Sequence, residues 1–188
     1  MRDQMDDKGV RQPRIGSWFP VGSLLVLLLG SLPLAGQMDE YSIKAAYLYN
    51  FSRYVEWPGG GPITICVAGD DPFGGKLEQA VAGKTAGNGQ PIEVKRVSAS
   101  AGAGLKSCRI LFLAKSEKAH AGAVVNAVKD AAVFTVADFA PFAENGGVAN
   151  LTLEGSRVRV ALNMGAANHA NLKISGKLQQ VAVLVGGN

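Results

Sequence analysis

Few side chains in this 188-residue sequence are of types that do chemistry, and their spacing argues against most of it. The histidines are His120 and His169. Neither has a second His or Cys at a metal-ligand spacing such as HxxxH or CxxC, so both are expected at the surface. No Gly-x-Ser-x-Gly is present to carry an activated serine. The run Gly69-Asp70-Asp71-Pro72-Phe73-Gly74-Gly75-Lys76 has the glycines of a phosphate loop but fails that motif. Gly75 stands where lysine should follow Gly74, no Ser or Thr comes after, and two carboxylates repel phosphate. Asp138 and Glu144 have no evident acid–base partner. The sequence therefore assigns no catalytic residue, metal ligand or cofactor.

Binding is the chemistry left open. Asp70 and Asp71 lie in a strand-to-helix turn, where Asp71 is expected to cap a helix opening at Pro72. Asn150 and Asn163 fall at the edges of two expected strands. A partly buried Asn must find partners, most simply by fixing turns through backbone hydrogen bonds. A ligand role for Asp70, Asp71, Asn150 and Asn163 is the second reading.

The elements that would position these residues read as one α/β domain with a mixed sheet flanked by helices, over residues 37–188. Ile43, Ala46, Tyr47, Asn50, Phe51 and Tyr54 recur at helical spacing, predicting a helix from Asp39 to Trp57. Pro58 and three glycines stop it. All four tyrosines fall in this stretch, with Phe51 and Trp57. One helix face cannot bury so many rings. The surplus, Tyr41, Tyr49 and Tyr54, is a candidate protein-contact patch; a half-core, half-surface helix is the plainer alternative.

Short β-rich runs follow at 63–67, 92–97, 109–113 and 132–136, the third continuously apolar as in a central parallel strand. Helices are expected around Leu77–Val81 and over Ser116–Lys129, with a loop from Ser98 to Gly104. Val148–Leu153 and Arg157–Leu162 alternate about Glu154-Gly155 as a hairpin. From Ser175, Leu178, Val181, Ala182 and Val185 have helical spacing, although the valines also suit a strand.

Residues 1–36 set the compartment. Arg2, Lys8, Arg11 and Arg14 precede the apolar run Val21–Leu34, and small residues Ala35 and Gly36 follow. This is the pattern of a secretory signal peptide cleaved after Gly36. An uncleaved anchor is the alternative, but the run is near the lower limit of a spanning helix and is interrupted by Gly22, Gly30 and Pro33. Gln37 stands where a lipoprotein needs Cys. The remaining charges are mildly basic and dispersed, without the clustered stripe of a nucleic-acid binder. The expectation is an exported, periplasmic protein. Both cysteines, Cys66 and Cys108, lie in the exported part, where a disulfide is permitted. It would close a loop of about 40 residues, worth about 4 kcal/mol by chain entropy. Two buried thiols are the alternative.

Taken in order, these segments resemble the YfiR-like family of small periplasmic proteins. The resemblance begins at Ile43-Lys44-Ala45-Ala46-Tyr47-Leu48-Tyr49-Asn50-Phe51 and Val55-Glu56-Trp57-Pro58. It continues through Ile65-Cys66-Val67-Ala68-Gly69-Asp70-Asp71-Pro72-Phe73 and Cys108-Arg109-Ile110-Leu111-Phe112. It closes on Phe139–Asn150, Val158–Asn163 and Asn171–Leu178. The resemblance implies a non-catalytic α/β regulator that binds the periplasmic domain of an inner-membrane diguanylate cyclase and holds it inactive. It also implies an outer-membrane lipoprotein as counter-regulator, a homodimer, and a Cys66–Cys108 disulfide linked to redox sensing. Some members carry a second cysteine pair, which this chain lacks. A small-ligand module serving another membrane signalling protein is the alternative function, and an unrecognised enzyme a third.

Overall fold

The computed structural model describes residues 39–186. The expected leader, residues 1–36, lies outside them. The first helix, α1 (Glu40–Tyr54), starts where Asp39 caps it: Asp39 Oδ1 accepts from the backbone N–H of Tyr41 at 3.1 Å and of Ser42 at 3.2 Å. Glu40 in the first turn and Arg53 in the last suit the helix dipole. The helix stops at Tyr54, three residues short of the expected end. Val55-Glu56 instead form β1 and pair antiparallel with Lys173-Ile174 from the far end of the chain. Beyond them, the Trp57 indole Nε1 donates to the Arg109 carbonyl at 3.1 Å, anchoring the segment to the sheet.

The chain then builds β2 (Ile63–Ala68), α2 (Lys76–Val81), β3 (Ile92–Val97), β4 (Ile110–Leu113), α3 (Ala121–Val128), β5 (Phe134–Ala137), β6 (Ala149–Glu154) and β7 (Arg157–Asn163). It finishes with α4 (Met164–His169), β8 (Lys173–Ile174), α5 (Gly176–Gln180) and β9 (Val183–Val185). Seven strands form one sheet in the order β3-β2-β4-β5-β6-β7-β9. Every pairing is parallel except the β6–β7 hairpin. This is a single α/β domain with a mixed sheet, as the sequence implied.

Both faces of the central strands are covered, so β2, β4 and β5 are buried along their whole length. On one face Ile65, Phe112, Phe134 and Leu151 pack with Leu48 and Phe51 of α1. On the other, Cys66, Leu111 and Ala137 meet Val124 and Val128 of α3.

Several local expectations are revised. No helix opens at Pro72, because Phe73 is fully buried against the Phe112 ring, centroids 4.8 Å apart. α2 begins only after Gly75, which takes the positive φ of 89° that Gly adopts readily. Asp71 caps no helix; its Oδ1 accepts from the Phe73 N–H at 2.8 Å. The stretch Ser116–Lys129 is a 3-10 helix, Lys115–His120, followed by α3. Its Ser116 hydroxyl is drawn aside to accept from the Asp70 N–H. Residues 102–107, half expected as loop, wind into a 3-10 helix that buries Leu105. The tail from Ser175 realises both readings in turn, α5 and then β9.

Candidate functional site

In a doubly wound sheet the crevice for ligands lies at the carboxyl ends of the strands, where the strand order reverses. Here β3 lies to one side of β2 and β4 to the other, so the reversal falls between β2 and β4. The residues beyond those ends are Gly69-Asp70-Asp71 and Lys115-Ser116-Glu117. They are tightly joined: a side chain at Gly69 would meet Ser116 Oγ at 2.4 Å. Asp71 is committed to internal contacts, since Oδ1 holds Phe73 and Oδ2 accepts from Arg96 Nε at 2.9 Å. Arg96 also binds Glu78. This pairing holds the Glu78 carboxyl below its ordinary pKa and raises the Arg96 guanidinium. Asp70 keeps an exposed side chain while its backbone N–H donates to Ser116.

Beside this edge stands a buried ionisable cluster that sequence reasoning missed. Lys44 of α1 is fully buried. It bonds Glu40 one turn earlier, and its Nζ lies 3.7 Å from Asp138 Oδ2 at the end of β5. The Tyr41 hydroxyl donates to the same Asp138 oxygen at 3.0 Å. Burial pushes the Asp138 carboxyl up, opposed first by the Lys44 charge. Burial, then the Asp138 charge, also pushes the Tyr41 phenol far above its usual value. The buried face of α1 runs through Lys44, Ala45, Leu48, Phe51 and Ser52, rotated from the face that the spacing of Ile43, Ala46, Tyr47 and Asn50 marked, so the helical pattern did not point to Lys44.

Tyr41 therefore belongs to this cluster, with its ring edge-on to Phe73 at 5.8 Å. Tyr49 and Tyr54 lie further along α1, half-buried. Lys84 Nζ sits 4.6 Å above the Tyr49 ring, and the Arg53 guanidinium is within 6.0 Å of both rings. The structure thus separates Tyr41 from the other two.

Asn150 and Asn163 converge on one residue. Asn150 Oδ1 accepts from the Ala143 N–H at 3.1 Å, and Asn163 Nδ2 donates to the Ala143 carbonyl at 2.8 Å. Asn163 Oδ1 also accepts from Ala166 N–H at 2.9 Å, capping α4. Both act on backbone groups, as a turn-fixing role requires. The loop they hold passes close under Gly147, where a Cβ would lie 2.1 Å from the Phe142 ring. His120 and His169 are exposed, with His120 Nδ1 3.0 Å from Glu117.

Cys66 and Cys108 are joined by a disulfide, with Cα atoms 5.8 Å apart. Both are buried in the α3 face of the core. Among the described residues, the large apolar side chains that stand exposed are Leu153, Val181, Val183 and Leu184. The last two belong to β9, which among the described residues pairs with β7 alone and leaves its other edge open. No described helix is long and apolar enough to cross a membrane.

Two solved structures resemble this fold. One is described as an ABC domain in complex with L-Trp from Streptococcus pneumonia, the other as a conserved domain protein from Vibrio cholerae. Each aligns with a TM-score of 0.52 at 12% identity over 75% of this chain. The chain spans 60% and 59% of their respective lengths, so the likeness is one of fold. No curated protein matches the sequence. The family described as YfiR/HmsC-like matches residues 41–183.

Proposed function

The chain belongs to the YfiR/HmsC-like family, and from that premise we propose that it is a periplasmic regulator. In this reading it binds the periplasmic domain of an inner-membrane diguanylate cyclase and represses it. The family match carries the proposal. The leader at residues 1–36, cleaved after Gly36, would deliver the chain to the periplasm. Binding would act by population shift, favouring the inactive cyclase through differential affinity for its two states. A lipoprotein of the outer membrane would compete for the repressor, and a second copy of the chain would pair with it.

A docking role is supported by β9. Its open edge offers unpaired backbone groups, and Val183 and Leu184 are 58% and 54% exposed. Such an edge is a template for another strand unless something blunts it, and neither charge nor proline does so here. Tyr49 and Tyr54 form a second contact surface in this proposal. Tyr41, half-buried and tied to Asp138, would contribute less.

The test is genetic and biochemical together. Deleting the gene should raise cyclic di-GMP, and the wild-type gene should restore it. The full-length protein should co-purify from envelope membranes with a protein carrying a cyclase domain. The Val183→Asp/Leu184→Asp double variant should fold normally, since both sites are exposed, yet lose co-purification and repression. Tyr49→Ala/Tyr54→Ala measures the share of the helix surface. Unchanged cyclic di-GMP on deletion, with no signalling protein recovered, would overturn the proposal.

A further inference from the structure

Between α3 and α4 lies a groove of about 460 Å3. That is within the range of small-molecule sites. Val125 and Val128 of α3 form one wall, and Val133 and Val148, just before β5 and β6, extend it across the sheet. The floor is polar. Thr135 and Asn163 line it and are themselves buried, at 3% and 7% exposure.

The floor has hydrogen-bonding capacity to spare: beside the second lone pairs of Thr135 Oγ1 and Asn163 Oδ1, it presents two donor protons. Thr135 Oγ1 accepts from the Val148 N–H at 3.0 Å. Its own hydroxyl proton meets no acceptor among the described residues. Asn163 Nδ2 gives one proton to the Ala143 carbonyl, and its second meets none there either. A buried donor without an acceptor is costly, so these protons favour a guest that accepts. At the mouth, Lys129 supplies a positive charge and His169 a ring nitrogen, with Asp130 as the opposing carboxylate.

We infer that this groove binds a small organic carboxylate with a compact branched apolar body. The body fills the space between the four valines. The carboxylate oxygens take the free protons of Thr135 and Asn163, with Lys129 supplying counter-charge from the mouth. Asp130 turns dicarboxylates away. The inference is independent of the repressor reading, since it concerns occupancy of the isolated domain and requires no partner.

The experiment uses the exported chain with isovalerate as probe and its neutral isostere isovaleramide as control. Isovalerate should raise the melting temperature in a saturable way. It should also shift the backbone amide resonances of Gly146, Ala166 and His169. The amide should do neither at the same concentrations. Thr135→Val should weaken isovalerate binding several-fold. That substitution also unpairs the Val148 N–H, so a second variant guards against a folding defect: Val125→Trp fills the groove from a half-exposed position and should abolish the shifts while the protein stays folded. The inference is overturned if isovalerate produces no saturable shift. It is equally overturned if isovaleramide matches it, or if Val125→Trp binds as wild type does.

Discussion

Asp138 is the side chain with the most at stake. One of its oxygens serves both the Tyr41 hydroxyl and the Lys44 ammonium, while Oδ1 has no hydrogen-bond partner among the described residues. Burial raises its pKa in the folded protein, and the nearby Lys44 and Lys115 charges only partly offset this. The sign follows from linkage: a carboxyl whose folded value lies above the unfolded one stabilises fully below the unfolded pKa of about 3.9. That contribution is lost as pH rises through the folded value. Glu78, held down by Arg96 at the surface, works the other way and weakens as pH falls. Asp138→Asn keeps an amide oxygen for Tyr41 and removes the titration. Relative to wild type, the variant should gain stability steadily from acid toward neutral pH. Lys44 keeps Glu40 as its partner in the variant. Urea unfolding at several pH values reads the difference, and parallel profiles for the two proteins would refute the assignment.

The loop from Asp138 to Val148 is held by groups from three strands rather than by its own propensities. Thr135 of β5, Asn150 of β6 and Asn163 of β7 bond its backbone, the last two at the single residue Ala143. Removing either asparagine strands a buried peptide group, so Asn150→Ala and Asn163→Ala should each cost about 1–3 kcal/mol. Because both act on one peptide segment, the double variant should cost less than the sum. Additive losses in urea unfolding would show that they work separately. The strands supplying these clamps were legible: Ile110–Leu113 is apolar throughout because it is buried on both faces, and Arg157–Asn163 alternates because one face is open. That Asn150 and Asn163 fix turns was readable from residue type, but their meeting at Ala143 depends on strand register. The ends of α1 and α5 were not legible for the same kind of reason. Val55 leaves the helix to pair with Ile174, and Val183 leaves the tail to pair with Ala161. A helical repeat carries no record of partners so distant in the chain. Nor did the pattern show that Lys44 would be a buried charge, since that follows from where β5 places Asp138.

Seven strands divide the interior into two cores, and the disulfide lies in the smaller one, between β2 and the approach to β4. The bonded residues are 42 apart in sequence, so the closed loop contains α2, β3 and the 102–107 turn. Closing a loop of that length removes unfolded-state entropy worth about 4 kcal/mol. Against a typical net stability of about 5–15 kcal/mol, the bond is a large share of what holds the domain together. Both sulfurs belong to residues only 1% exposed, so a reductant reaches them only when the core opens. Cys66→Ala/Cys108→Ala should therefore lower unfolding free energy by about 2–4 kcal/mol while leaving the sheet intact. Native-state reduction should be slow and should accelerate in parallel with unfolding as urea is raised, because both pass through the same opening. A sensor would behave differently: rapid thiol release at full native stability, with the fold preserved, would reassign the bond from structural brace to switch.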